Sequence, residues 1–248
     1  MRNILSIKNL KKIYHTKKSE TLAVSDFSYD LKENEFVSIV GPSGCGKSTI
    51  LSILSGSLTL SDGIISKEDS ITFGYMLQDD CLFEFRTILE NCLLGLEIKG
   101  KITEENKKYV ISLLEKYGLK DFMNSYPSNL SGGMRQRVAL IRTLALKPDI
   151  LLLDEPFSSL DYQTRLKVSE DVLNIIRMEE KSAIMVTHNL EEALVMSDTV
   201  IVLSSRPSHI KSIYHIDLDK NLTTLEKKKT KEFLDYYNQI WKDIDIHV

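Results

Sequence analysis

Cysteine is scarce: only Cys45, Cys81 and Cys92 occur in 248 residues. There is no Cys-x-x-Cys pair, and an odd number suits no closed disulfide framework, so free thiols in a reducing compartment are expected. A metal site built on these thiols lacks partners nearby. No apolar run approaches the ~20 residues that span a bilayer, so no membrane crossing is expected. Residues 1–15 lack the apolar core of a secretory signal, so none is expected. Positive charge is not in excess: 32 Lys and Arg face 35 Asp and Glu, a net charge of −3. Nucleic-acid binders carry the opposite balance, so no nucleic acid is expected as a partner. Internal repeats are absent, which argues against a solenoid.

What is present is an ordinary globular composition, 42% hydrophobic and 27% charged. That is enough apolar mass to bury a core. The length suits one large domain, or one domain with an inserted subdomain. Residues 4–10 alternate apolar and polar as a strand does, 15–20 read as a turn, and 21–31 alternate again as one longer strand. A short β-rich run covers 36–40, and 71–77 reads as a strand. Between 79 and 130 the character is helical. There Tyr109, Val110, Leu113, Leu114 and Tyr117 recur at helical spacing, between a start signal at Thr103 and a stop at Gly118. Helix is expected over 132–146, closed by Pro148, and again over 162–180 and 190–196. Residues 150–153 form a continuous apolar run, typical of a strand buried on both faces. Strands at 183–187 and 200–203 complete an alternation that argues for an α/β core with a parallel sheet. Residues 221–248 are charged and expected to be helical, with Phe233, Tyr236, Tyr237, Ile240 and Trp241 on one face. Packing is the expected role of the methionines and of Trp241.

Chemistry enters at residues 41–49, Gly41-Pro42-Ser43-Gly44-Cys45-Gly46-Lys47-Ser48-Thr49. The run fits G-x-x-x-x-G-K-[ST] between a strand and a helix. Gly41, Gly44 and Gly46 let the backbone curl so that successive N–H groups face phosphate oxygens. The helix beginning at Lys47 adds its positive dipole end. Lys47 places a charge on the β- and γ-phosphates, and the Ser48 hydroxyl is a candidate Mg2+ ligand. Cys45 offers only its backbone N–H. A second element ends the strand 150–153: Asp154, at the carboxyl edge of the sheet, is a candidate to hold the metal directly or through water. Glu155, one residue on, is placed to take a proton from an attacking water.

Further segments then line up. Leu130-Ser131-Gly132-Gly133-Met134-Arg135-Gln136-Arg137 resembles the signature motif of ABC-type ATPases. Gln78 follows a strand, as the glutamine of that family's Q-loop does. Ser159-Leu160-Asp161 resembles its D-loop, and Thr187-His188-Asn189 its switch-histidine segment. The resemblance covers about residues 4–217, in the family's order. It implies a P-loop NTPase fold with a mostly parallel sheet, an antiparallel β subdomain and an inserted α-helical subdomain at about 79–146. Residues 1–217 would be the ATPase domain and 218–248 a C-terminal helical tail.

The resemblance implies ATP and Mg2+ as ligands and ATP hydrolysis as the reaction. Tyr14 would stack on adenine. Gln78 would touch Mg2+ or the attacking water, His188 would contact the γ-phosphate and hold Glu155, and Asp161 would shape a dimer contact. A second glycine-rich helix start at Ser131, Gly132 and Gly133 is a second anion site. In the family that duplication belongs to a head-to-tail homodimer in which ATP joins one copy's phosphate loop to the other's signature. Such an interface is isologous. Met134 stands where the family often has Gln, and Asn189 where Asp is commoner. The stretch from Gln78 to Thr87 resembles the Q-loop of nitrate, sulfonate and taurine importer ATPases, with Phe83-Glu84-Phe85 in place of their usual sequence. The stretch from Val202 to Ser208 resembles that group's Ser-x-Arg-Pro-Gly segment. This implies an importer subunit, peripheral on the cytoplasmic face of the membrane, with transmembrane permease subunits as partners and an extracytoplasmic binding protein acting indirectly. The alternatives are the ATPase of an exporter and a soluble, non-transport role. Residues 47–131 leave no room for the coiled coils of DNA-maintenance members, and those after 217 none for a sugar-importer regulatory domain.

Overall fold

A computed structural model of the chain describes residues 2–15 and 19–244. The turn expected at 15–20 falls largely outside these residues, as does the end of the tail beyond 244. The strands among the described residues are β1 (Asn3–His15), β2 (Glu20–Asp26), β3 (Tyr29–Lys32), β4 (Phe36–Val40), β5 (Asp62–Lys67), β6 (Phe73–Met76), β7 (Ile150–Asp154), β8 (Ser182–Val186), β9 (Thr199–Leu203) and β10 (Ser208–His215). The helices are α1 (Lys47–Leu54), α2 (Ile88–Ile98), α3 (Glu104–Lys116), α4 (Gly132–Leu144), α5 (Tyr162–Met178), α6 (Leu190–Met196), α7 (Thr224–Lys227) and α8 (Lys231–Ile244).

The parallel heart of the sheet runs β9-β4-β8-β7-β6. Every residue of β4, β7, β8 and β9 is buried. The reason is coverage on both faces. Ile150 and Leu152 point into one apolar cluster with Ile50 and Leu51 of α1. Leu151 and Leu153 point into the other with Val138 and Ile141 of α4 and Val172 of α5. Each such fully buried side chain contributes about 1.5–3 kcal/mol.

β10 runs antiparallel to β9 and parallel to β2, and β1 pairs antiparallel with β2, β3 and β5. The single strand expected over 21–31 is two. Asn9 adopts a left-handed φ of 51° and bends β1, and its N–H donates to Ser28 Oγ at 2.8 Å. That corner separates β2 from β3. β5 and β10 were not expected. β5 is a mostly exposed six-residue strand that begins at Asp62-Gly63. Gly63 lies so close to β1 that a Cβ there would stand 2.5 Å from the Asn9 carbonyl oxygen. β6 is shorter than the run 71–77, because Thr72 instead donates its N–H and hydroxyl to Asp149 Oδ2, at 2.8 and 2.9 Å.

The stretch of helical character is helical only from α2 onward. Residues 77–87 are irregular and end in a capping box of Thr87 and Glu90. The tail packs rather than dangles: Phe233 and Ile240 of α8 are buried. Trp241 is half exposed and stacks on Tyr237 at 5.9 Å. No helix among the described residues is long and apolar enough to cross a membrane.

Candidate functional site

The loop between β4 and α1 delivers a cradle. Gly46, the residue before α1, has a φ of 119°, and a Cβ there would stand 3.2 Å from Val24 Cγ2. Glycine is required for both reasons. No side chain caps α1, so the N–H groups of its first turn remain available to an anion. Ser43, Gly44, Gly46, Lys47, Ser48 and Thr49 line a cavity of about 460 Å³ together with Glu155, His188 and Arg206. The Lys47 ammonium is buried and donates to the carbonyls of Gly41 and Pro42 at 2.9 and 3.0 Å. Neutral carbonyls hold it, so its charge is free for phosphate. Cys45 is buried under the loop, and burial pushes its thiol pKa up.

Two strand ends complete the cavity. The Ser48 hydroxyl donates to Asp154 Oδ1 at 2.9 Å. The Tyr75 hydroxyl donates to Asp154 Oδ2 at 3.0 Å. Burial and then the Asp154 charge push the Tyr75 phenol up to about 12. A carboxylate beside a hydroxyl is an oxygen set suited to Mg2+, which keeps other positions for water and phosphate. Among the described residues no group of three or more His, Cys, Asp or Glu gathers to hold a metal. Ser48 and Asp154, bonded to each other, would be the ligands nearest a Mg2+ ion here, with Gln78 outside the cavity lining.

Glu155 sits just past β7 with a φ of 44°, a left-handed conformation that costs energy in a non-glycine residue. Its N–H is tied to the Val186 carbonyl at 2.9 Å. The turn aims the carboxylate at His188, whose Nδ1 lies 3.0 Å from Glu155 Oε2. His188 in turn is set by its neighbours. Thr187 donates to the buried Glu192 at 2.9 Å, and Asn189 caps α6 by accepting from Glu191 and Glu192 N–H groups at 3.0 and 3.2 Å. That cap explains why Asn serves at position 189, because Asn and Asp cap equally well.

Other expected site residues lie apart from this cavity. Gln78 follows β6, and its amide donates to Ser158 Oγ at 3.3 Å. The Tyr14 hydroxyl meets Thr49 Oγ1 at 3.1 Å, beside the cradle. Ser131 caps α4, with its hydroxyl accepting from the Met134 N–H at 3.4 Å. Ser131 and Gly132 are exposed and outside the cavity. Gly133 is buried, and a Cβ on it would stand 2.7 Å from Val168 Cγ2 of α5. Asp161 caps α5, accepting from the Gln163 and Thr164 N–H groups, both at 3.1 Å.

Residue reading missed Tyr75 and Arg206 as site residues. Tyr75 sat unremarked inside the apolar pattern of a strand. Arg206 lay in the segment 202–208, but nothing in the residues pointed it at the cradle. Its guanidinium donates to the Gly44 carbonyl at 2.5 Å. Also unforeseen is the anchoring of α4. Arg135 binds Asp80 through two nitrogens, at 2.7 and 3.0 Å, and Glu84 at 2.8 Å. Arg142 donates to the Asp80 and Cys81 carbonyls at 2.6 and 2.7 Å.

A family model described as ABC transporter matches residues 24–158. The chain belongs to the ABC transporter family. An uncharacterized ABC transporter ATP-binding protein of Bacillus subtilis, YtlC, is 41% identical over 98% of this chain and 96% of its own length. A taurine import ATP-binding protein of Roseobacter denitrificans is 39% identical over 96% of this chain and 94% of its own. The dimeric structure of a bacterial ABC transporter cassette superposes with a TM-score of 0.72 at 30% identity, covering 86% of this chain and 99% of that one. A second dimeric structure of that cassette, a post-hydrolysis state bound to ADP and Pi, superposes with a TM-score of 0.68 at 29% identity, covering 84% and 99%. The α/β fold with its P-loop is thus that of an ABC ATPase cassette, and as an ABC ATPase the chain is an ATP-binding and ATP-hydrolysing subunit.

Proposed function

We propose that this ABC ATPase energises an importer for solutes of the taurine and sulfonate type. It works as an ATP-joined homodimer beneath transmembrane permease subunits, on the cytoplasmic face of the membrane. An extracytoplasmic binding protein would deliver the solute. Relatives named for taurine and aliphatic sulfonate import support the solute class. The segments 78–87 and 202–208 support it independently. Residues 1–217 are taken as the ATPase domain, 79–146 as its helical subdomain and 218–248 as the tail.

The observation that carries the dimer is a separation. Ser131 and Gly132 of the signature helix start are exposed, and neither lines the cavity that holds Lys47. One triphosphate in one chain does not reach both. A second copy, related by a two-fold axis, would bring its Ser131 turn over the first copy's cradle. A cassette of similar fold forms a dimer, which supports dimerisation.

Hydrolysis is in-line attack of water on the γ-phosphate. Glu155 accepts the proton of the attacking water. His188 holds that carboxylate through Nδ1 and turns its other ring nitrogen to the γ-phosphate. Lys47 leaves the Gly41 and Pro42 carbonyls to bridge the β- and γ-phosphates. Tyr14 stacks on adenine, Gln78 orients the water, and Asp161 shapes the dimer contact. Ser48, Asp154 and Gln78 would hold Mg2+, which neutralises charge on the phosphate oxygens. The Glu155→Gln variant tests the scheme. It should bind ATP, lose turnover about 10²–10⁴-fold and elute as a dimer only with ATP. Wild-type turnover in that variant removes Glu155 as the base. A monomer at saturating ATP removes the shared-nucleotide dimer.

A further inference from the structure

Among the described residues lies a second cavity, larger than the nucleotide cavity. It measures about 820 Å³ and lies between the β9–β10 connection and the end of α8. Arg206, His209 and Lys211 line it with Ser25, Ser204 and Ser205; the Ser25 hydroxyl already donates to the Ser208 carbonyl and the Ser204 hydroxyl to the Ser205 carbonyl. Among the described residues the acid lining it is Asp243, and its carboxylate is already engaged. The Tyr214 hydroxyl donates to its Oδ2 at 2.7 Å, and the Ser212 hydroxyl donates to the same oxygen. Those contacts, Ser212 first, hold its pKa below the usual carboxylate range. Lys211 and Arg206, by contrast, keep donors in reserve. Lys211 spends one N–H on the Asp243 backbone carbonyl at 2.5 Å. His209 Nδ1 meets Ser204 Oγ at 3.0 Å. Arg206 spends NH2 on the Gly44 carbonyl and lines both this cavity and the nucleotide cavity.

We infer that this outer cavity is a second anion site, selective for a tetrahedral oxyanion, and that Arg206 links it to the phosphate loop. Guanidinium and ammonium donors, each tethered by one hydrogen bond, match phosphate, sulfate and sulfonate oxygens. An oxyanion held by His209 and Lys211 competes with the Gly44 carbonyl for Arg206. The phosphate loop then gains or loses one charge-assisted tether according to whether the outer site is filled. By linkage, nucleotide and oxyanion change each other's affinity by the same factor.

Calorimetry tests this with three probes, inorganic phosphate, sulfate and taurine, titrated separately into the full chain at saturating ADP and constant ionic strength. At least one probe should bind. Lys211→Met should weaken it about ten-fold, the loss of one charge-assisted hydrogen bond, and His209→Gln by less. Lys47→Ala, which disables the phosphate loop, should leave it in place. A saturating oxyanion should shift ADP affinity about five-fold, and Arg206→Met should abolish the shift. Preference for taurine identifies an organosulfonate as the natural ligand, and preference for sulfate or phosphate an inorganic anion. Binding that survives both Lys211→Met and His209→Gln overturns the site. So does binding lost in Lys47→Ala, which would assign the anion to the phosphate loop, or no binding by any of the three. The variants touch separate contacts, so a folding defect in one leaves the other to decide.

Discussion

The nucleotide cavity and the signature turn are both glycine-rich helix starts, but they are built differently. The cavity is backbone architecture. Strand ends of a sheet buried on both faces carry Asp154, Glu155 and the loop before Lys47. Glu155 is held in a left-handed conformation that only a rigid surround maintains. The signature turn stands at the start of α4, whose later turns pack in the core, and arginine side chains tie that helix to an irregular segment. Arg135 and Arg142 of α4 fasten it to Asp80 and Cys81. A site on strand ends is fixed by the core; a site on a tethered helix can shift when its tether is pulled. The irregular segment 77–87 is that tether, and it contains Gln78.

The largest difference should appear with Lys47→Ala. The cradle would lose its only lysine, a charge buried among carbonyls. ATP affinity should fall by about 1.5–3 kcal/mol, roughly 10–150-fold, as for hydrogen bonds to charged groups. Calorimetry with ATP measures it. Unchanged affinity would break the contrast, because the signature turn would then bind as well alone.

Next is Gly133→Ala, which probes the signature side without touching charge. Alanine favours a helix interior over glycine by about 1 kcal/mol. Against that, the new Cβ would meet Val168 Cγ2 at 2.7 Å and Thr164 Cγ2 at 3.3 Å. Both neighbours are β-branched and stiff. Overpacking costs about 1–3 kcal/mol, so the net expectation is a lowered melting temperature. A raised one would show that α4 slides freely over α5.

These contrasts explain what the sequence made legible. The cradle, Asp154 and Glu155 were readable because a fixed spacing on a strand–loop–helix dictates their chemistry. The corner at Asn9 and Ser28 was hidden in a run that alternates like one strand. β10 was missed although Ile210, Ser212 and Tyr214 alternate with exposed neighbours, because Pro207 and the serines before it read as a loop. The Arg135–Asp80 pair spans 55 positions, and no local pattern foretells such a partner. Arg206 reaches Gly44 across 162 positions. What local geometry dictates was legible; what tertiary approach creates was not.

Tyr75→Phe is a smaller test on the cavity side. It removes the bond to Asp154 Oδ2 at 3.0 Å and leaves the Ser48 bond. The loss is about 1 kcal/mol, a few-fold in rate. The specific signature is a change in the Mg2+ concentration for half-maximal ATPase at fixed ATP. A lower rate with an unchanged Mg2+ midpoint would mean that Tyr75 only packs.

The smallest effect should come from the tether. Burial alone would raise the Asp80 carboxyl, but the Arg135 guanidinium and the Leu82 N–H bring it below its ordinary value. Both side chains are partly exposed, at 24% for Arg135 and 19% for Asp80, so screening limits the pair to about 1 kcal/mol. A double-mutant cycle of Asp80→Asn and Arg135→Gln, read by chemical denaturation, isolates that coupling. The sign with pH follows from the depressed pKa. The contribution is present above the unfolded carboxyl value of about 3.9 and fades as pH falls through the lower folded value. Wild type and Asp80→Asn should therefore differ at neutral pH and converge in acid. If stability shows no coupling while ATP hydrolysis still depends on both residues, the tether acts in the working cycle rather than in the resting fold. That outcome sharpens the contrast, since removing Lys47 would weaken nucleotide binding in any state, whereas loosening Arg135 would be felt only when α4 has to move.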